Sequence, residues 1–146
     1  MNSSDALKLE NQLCFSAYAA SRAITKLYRP FLDEMGVTYP QYLVLLVLWE
    51  QNSITLKDLG NKLYLDSGTL TPLLKRLEVM GIVERNRSSE DERILCVKIT
   101  DKGIELKDKA LKIPGCILKS IDIDLNELLT LKKSLDNLLS SVNTEE

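Results

Sequence analysis

The chain has 146 residues, 45% of them hydrophobic, with a formal net charge of −2, three cysteines and no histidine. The length and apolar share predict one domain over residues 1–146 with its own core, and the charge excludes a globally basic nucleic-acid binder, leaving only a local surface for that role. Odd, widely spaced cysteines without histidine speak against a disulfide framework and against a metal site; with no membrane-length apolar run and no signal peptide, a cytoplasmic protein that needs no membrane is expected.

Residues 1–6 are polar and read as loose. From Leu7 to about Glu34 there is no Gly, and Pro30 is the sole Pro. Leu13, Ala17, Ala20, Ile24, Leu27 and Phe31 recur at spacings of four and three, which predicts a long amphipathic helix with a heptad-like seam. Pro30 predicts a kink late in it. So apolar a helix in so short a chain points to a dimerisation surface. Thr38-Tyr39-Pro40 opens a second helix, with Pro40 tolerated in its first turn. The run from Tyr42 to Trp49 is apolar nearly all round and predicts burial. Glu50 to Ser53 reads as a connector. Thr55 caps a short helix over residues 56–63, whose Asp58 suits a helix N-terminus.

Asp66 then caps a helix carrying Leu70, Leu73, Leu74 and Leu77 at helical spacing. Pro72 strains that reading, so the helix either starts nearer Gly68 or is irregular there. Gly81 stands where a left-handed stop is wanted. Ile82–Arg85 and Ile94–Ile99 have strand character and flank a charged tip over residues 86–93. Thr100 caps a further helix towards Lys112, interrupted near Pro114. Asp124 and Glu127 resemble a capping box, and Leu128, Leu131, Leu135, Leu138 and Val142 form another apolar seam. Residues 143–146 are an acidic tail.

Helix, turn, helix and basic-tipped hairpin over about 38–100 make a winged helix-turn-helix lobe. The terminal helices, about 7–34 and 101–143, are expected to form a dimerisation layer. The major groove admits an α-helix whose short hydroxyl and basic side chains reach base edges and phosphates. Ser67, Thr69, Thr71, Lys75 and Arg76 supply such groups. Arg87 and Arg93 at the hairpin tip could enter a minor groove, where narrow A·T tracts attract arginine. Asp91, two residues before Arg93, is close enough to brace its guanidinium. Between Lys75 and Lys102 seven Lys/Arg face six Asp/Glu, so recognition would rest on placement rather than on bulk charge.

Six segments carry a resemblance: LENQLCF at residues 9–15, VTYPQYLVLLVLWE at 37–50, LDSGTLTPLLKRLE at 65–78, SSEDER at 88–93, ITDKG at 99–103 and IPGCIL at 113–118. The chain resembles the MarR family of regulators and, within it, the organic hydroperoxide-sensing branch. The resemblance implies a homodimer that binds a palindromic double-stranded DNA operator, represses a peroxide-detoxifying gene and lets go when its N-terminal cysteine is oxidised. It implies Cys14 as the sensor, Tyr28 and Tyr39 as its hydrogen-bonding tyrosines, and Asp91 and Arg93 as wing residues. No cofactor is implied.

Cys14, Tyr18, Ser21, Thr25, Tyr28 and Leu32 share a stripe beside the seam. Cys14 and Tyr28 are fourteen residues apart, about 21 Å along a straight helix, so they could meet only across a two-fold dimer or through a helix break. Tyrosine hydroxyls donating to the sulfur would favour the thiolate, the species that attacks a peroxide O–O bond. Leu13, Phe15 and Leu43 would favour an organic peroxide over a polar one. Cys116, beside Pro-Gly, is a second redox candidate: it could close an intersubunit disulfide with Cys14, against a mixed disulfide between Cys14 and a low-molecular-weight thiol. Cys96 reads as core or neutral. Two other readings stay open: a regulator answering a small aromatic ligand with Cys14 incidental, and a thiol peroxidase. The second is weak, because no Arg or Thr stands near Cys14 in the usual peroxidase spacing; a non-enzyme is expected.

Overall fold

The structure, a computed structural model, describes residues 2–143. Two compact units make it up, residues 1–114 and residues from 115 onward.

In the first unit, residues 5–11 form two short 3-10 turns rather than the start of the long helix expected from Leu7. The helix proper, α1, spans Leu13–Leu27, and α2 spans Arg29–Met35. The break between them falls at Tyr28, with Pro30 in the first turn of α2, where its missing N–H costs nothing. Gly36 ends α2 at φ 72°, a left-handed stop. The third helix, α3 (Tyr39–Gln51), opens with a reciprocal cap: the Thr38 N–H donates to Gln41 Oε1 at 2.9 Å and the Gln41 N–H to Thr38 Oγ1 at 3.4 Å.

The connector after α3 hides an element. Ser53–Thr55 is a short strand, β1, pairing antiparallel with the later hairpin as a third strand. Three residues are too few for an alternation signal, and only the partner strand reveals them. Thr55 caps α4 (Leu56–Leu63), its hydroxyl accepting from the Asp58 N–H at 3.1 Å. Asp66 caps α5 (Ser67–Val79) through the Thr69 N–H at 2.7 Å. The helix therefore starts at Ser67 and runs through Pro72 without interruption; Pro72 simply leaves the Gly68 carbonyl without its i+4 donor.

A Schellman turn ends α5. Ile82 N–H donates to Leu77 O and Gly81 N–H to Glu78 O, both at 2.9 Å, with Gly81 at φ 76°. The chain then enters β2 (Val83–Arg87), which pairs with β3 (Leu95–Ile99), and the sheet order is β1-β3-β2. Leu45 and Leu48 from α3, Leu59 from α4, Leu70, Leu74 and Leu77 from α5, and Ile82, Val83 and Val97 from the sheet are all essentially solvent-free. Each such side chain contributes about 1.5–3 kcal/mol of burial. This shared core fixes how α5 and the hairpin sit on one another.

Thr100 caps α6 (Asp101–Ala110) through the Gly103 N–H. The interruption expected near Pro114 lies at Leu111-Lys112, and Pro114 stands in the first turn of α7 (Ile113–Ser120). In the second unit α8 spans Leu125–Val142; Asp124 caps it through the Asn126 N–H at 3.0 Å rather than through the third position that a capping box uses. Residues 144–146 of the acidic tail lie outside the described residues. Neither α1 nor α8 buries a single residue.

Candidate nucleic-acid interface and thiol site

The surface of α5 away from the core carries the side chains expected to touch DNA. Ser67 and Thr69, in the first turn, and Lys75 and Arg76, further along, are exposed. Thr71 is half-buried, and its hydroxyl donates to the Ser67 carbonyl at 2.7 Å, so its oxygen is left mainly as an acceptor. Asp66 orders this first turn, and the Thr69 N–H holds its carboxyl below the usual carboxylate range.

At the hairpin tip the expected brace is present. Arg93 Nε and Nη2 donate to Asp91 Oδ1 and Oδ2 at 3.1 and 3.3 Å, and the Arg93 backbone N–H adds a bond to Oδ1 at 3.0 Å. These bonds hold the Asp91 carboxyl below its ordinary range. The Arg93 side chain is 91% exposed, so the guanidinium is oriented yet open to a partner. Arg87, at the end of β2, is exposed as well.

Sequence reasoning missed one ion pair behind this surface. Glu78, in the last turn of α5, receives Arg85 of β2: Nε at 3.1 Å and Nη2 at 2.9 Å both donate to Oε2, and the Arg85 backbone N–H to Oε1 at 3.4 Å. Arg85 depresses the Glu78 carboxyl. Seven residues with a turn between them give no periodic signal, so only the fold reveals the pair.

The thiol candidates lie in three settings. Cys14 is exposed in the first turn of α1. Cys116 is half-buried in α7, its carbonyl accepting from the Ser120 hydroxyl at 2.9 Å. Cys96, half-buried on β3, pairs in register with Asn86 on one side and Thr55 on the other. It alternates with the buried Val97 and so faces away from the core, beside polar neighbours.

Tyr28 and Tyr39 are brought together, with ring centroids 5.0 Å apart and nearly edge-on. Tyr42, which sequence reasoning treated only as core, completes a triangle at 5.8 and 6.1 Å and meets Trp49 at 6.2 Å. The i, i+3 spacing of Tyr39 and Tyr42 on α3 was the available signal. Burial raises all three phenols above their ordinary range, so they remain hydrogen-bond donors at neutral pH. Tyr18 stands apart from this cluster; its exposed ring carries the Arg22 guanidinium 5.4 Å from its centre. Cys14 and Tyr28 sit at opposite ends of α1, so this helix does not bring them together within one chain.

Among the described residues, no group of His, Cys, Asp and Glu could hold a metal, and no helix is long and apolar enough to cross a membrane.

Comparison with known proteins places this geometry in context. The family model described as transcriptional regulator SarA/Rot matches residues 26–110. The organic hydroperoxide resistance transcriptional regulator of Bacillus subtilis (strain 168) is 51% identical over 142 residues, spanning 97% of each chain. Reduced AbfR bound to DNA is 40% identical, covers 95% of this chain and 97% of its own, and superposes with a TM-score of 0.78. AbfR in its disulfide-formed state, at the same identity and covering 95% and 92%, superposes at 0.61. A cysteine-to-serine mutant of MarR from E. coli, complexed with operator DNA, is 25% identical over 87% of this chain and 93% of its own, with a TM-score of 0.80.

Proposed function

The chain belongs to the MarR-type winged helix-turn-helix transcriptional regulators, and on that premise we propose that it is a redox-sensing repressor. As a homodimer it binds a palindromic operator and releases it when Cys14 is oxidised by an organic hydroperoxide. The observation that carries the reading is the coexistence of two features in one chain: a recognition helix and braced wing arginine open to a partner, and a thiol in the exposed first turn of α1. The relatives named for hydroperoxide resistance, for DNA-bound AbfR and for disulfide-formed AbfR support the link between the two.

Homodimerisation is supported by unspent apolar surface. On α1, Leu13, Phe15, Tyr18 and Ile24 are exposed; on α8, Leu129, Leu131, Leu135, Leu138 and Val142 are. Faces of this size on an isolated chain mark an interaction surface, and a second copy supplies the same apolar chemistry by two-fold symmetry. In that dimer the partner's α1 runs the other way, which offers Cys14 of one protomer to the Tyr28–Tyr39 pair of the other. Both phenols are protonated donors at neutral pH and stabilise the attacking sulfur.

The Cys14 thiolate attacks the terminal peroxide oxygen; the O–O bond breaks, the alkoxide leaves and takes up a proton to become the alcohol, and sulfenic acid remains on Cys14. The Cys116 thiol of the partner subunit then displaces water to form a disulfide, in competition with a low-molecular-weight thiol attacking the same sulfur. The altered spacing of two recognition helices no longer fits half-sites about 34–36 Å apart. The protein consumes one oxidant per thiol and is no enzyme. Such a protein works where the DNA is, in the cytoplasm.

The deciding experiment is operator binding on the gene's own upstream region with and without organic hydroperoxide. Wild-type protein is expected to bind and then release, and Cys14→Ser to bind and stay. On a non-reducing gel the oxidised dimer should run as a covalent pair that Cys116→Ser abolishes and Cys96→Ser retains. Release by the Cys14→Ser variant would move the sensor elsewhere; full release with no covalent pair would favour the small-thiol route.

A further inference from the structure

We propose that Glu78 is a positioning residue for DNA recognition: through Arg85 it locks the wing to the recognition helix, so that the two contact elements engage DNA in a single register. The inference rests on the DNA-binding reading above and adds a residue that touches no DNA itself.

Among the described residues the sheet order makes β2 an edge strand, with β3 on one side and no strand on the other. Antiparallel pairing alternates, so every second residue turns its N–H away from the ladder. Bonds at the two ends of the hairpin, Ser88 N–H to Ile94 O at 2.7 Å and Thr100 N–H to Ile82 O at 3.0 Å, assign the even-numbered β2 positions to the ladder. The Arg85 N–H therefore points to the open edge, and there it meets Glu78 Oε1. The carboxylate accepts where the carbonyl of a fourth strand would accept, and its other oxygen holds the Arg85 guanidinium twice. One side chain from α5 thus grips both the main chain and the side chain of a single wing residue.

Position along the hairpin gives the grip its effect. Ile82 and Val83 are anchored in the core, whereas Asn86 and Arg87 are exposed. Arg85 is the last residue of β2 tied to α5. Beyond it, among the described residues, the tip bonds within the hairpin, the Asp91–Arg93 brace included. From Arg85 to the turn is about five residues, or about 16 Å of extended strand. A 10° swing about Arg85 would carry the Arg93 end about 3 Å, far beyond the few tenths of an ångström that a hydrogen bond tolerates. The brace at Asp91 orients Arg93 within the tip; Glu78 places the tip relative to the helix.

The test is a double-mutant cycle on a duplex spanning the upstream region, read by affinity and by hydroxyl-radical footprinting. Arg93→Ala should cost at least about 5-fold in affinity in the wild-type background. In the Glu78→Ala background it should cost less than about 3-fold, because the wing is already misplaced. Glu78→Ala alone should lose minor-groove protection at the wing while keeping protection under α5. Glu78→Gln, which keeps an acceptor for the Arg85 N–H, should fall between. A merely structural Glu78 would lower the melting temperature yet leave the Arg93→Ala cost equal in both backgrounds, and that result overturns the proposal. Wild-type binding indifferent to Arg93→Ala overturns it too. Absence of any wild-type footprint would instead strike the DNA-binding reading itself. Should Glu78→Ala not fold, the same cycle is run with Glu78→Gln.

Discussion

Gly103 offers a direct check on how tightly α6 seats against the sheet. A Cβ added there would lie 2.5 Å from the Ile82 carbonyl oxygen and 2.6 Å from Ile99 Cγ1. Ordinary carbon contacts need about 3.5 Å or more, so α6 must retreat by nearly 1 Å or Ile99 must leave its rotamer. Retreat is resisted by the Trp49 indole, whose Nε1–H donates to the Gly103 carbonyl at 2.9 Å, and by the Thr100 cap. Overpacking costs about 1–3 kcal/mol, and the Ile82 oxygen is backbone, which cannot rotate aside, so the upper part of that range, about 2–3 kcal/mol, applies. Against that, alanine in a helix is about 1 kcal/mol better than glycine. The net expectation for Gly103→Ala is a loss of about 1–2 kcal/mol, or about 3–8 °C in melting temperature. The chain has one tryptophan, so Trp49 fluorescence reports the displaced helix directly, in the same samples used for thermal melts. Melts must be compared at one protein concentration, since dimerisation makes the midpoint concentration-dependent. A melting temperature equal to or above wild type, with unchanged fluorescence, would refute the packing logic.

Arg93→Ala should weaken operator binding by about 1–3 kcal/mol with a melting temperature within a degree or so of wild type, since its side chain bonds only to Asp91; titration by fluorescence anisotropy decides it, and unchanged affinity removes the wing from recognition. Tyr28→Phe and Tyr39→Phe should slow thiol oxidation by organic hydroperoxide without stopping it, as each removes one hydrogen-bond donor; stopped-flow rates equal to wild type would exclude these phenols from the thiol site. Between about pH 8 and pH 10 stability should be flat, and it should fall as the pH rises beyond that. The unfolded tyrosines ionise near their ordinary value, whereas burial holds those of the folded chain above it, so ionisation favours unfolding only on the alkaline side. Melts from pH 8 to 11 check this, and Tyr42→Phe should flatten the slope; an unchanged slope would assign the alkaline loss to other groups.

Legibility in the sequence followed the range of the interaction. Caps and stops were readable wherever the chemistry is local: Thr55, Asp66 and Thr100 accept N–H groups three residues on, and Gly81 adopts the left-handed turn its position required. The Asp91–Arg93 brace was equally readable, because two residues cannot be far apart. Pro72 misled, since propensity treats proline as a boundary while burial of Leu70, Leu74 and Leu77 carries the helix through it. The start of α1 misled for the opposite reason: residues 7–12 lack any breaker, yet nothing is buried there to hold a regular helix. Strand β1 and the Glu78–Arg85 pair are products of assembly, visible only once β3 lies against residues 53–55 and β2 against α5.

The proposed thiol site lies a further step out. Its tyrosine pair forms within one chain because the α1–α2 break turns Tyr28 onto α3, and that much is settled by intramolecular packing. The sulfur stands at the other end of α1, about 21 Å away. A single copy therefore carries the sulfur and the phenol pair of the proposed site without α1 bringing them together. The seam residues Leu13 and Ile24, exposed here, are what would draw an antiparallel α1 alongside. On this view the spacing of Cys14 and Tyr28 is itself a dimerisation signal. A residue pair too distant to meet on one helix, but on one stripe of it, can be brought together by a second helix running the other way.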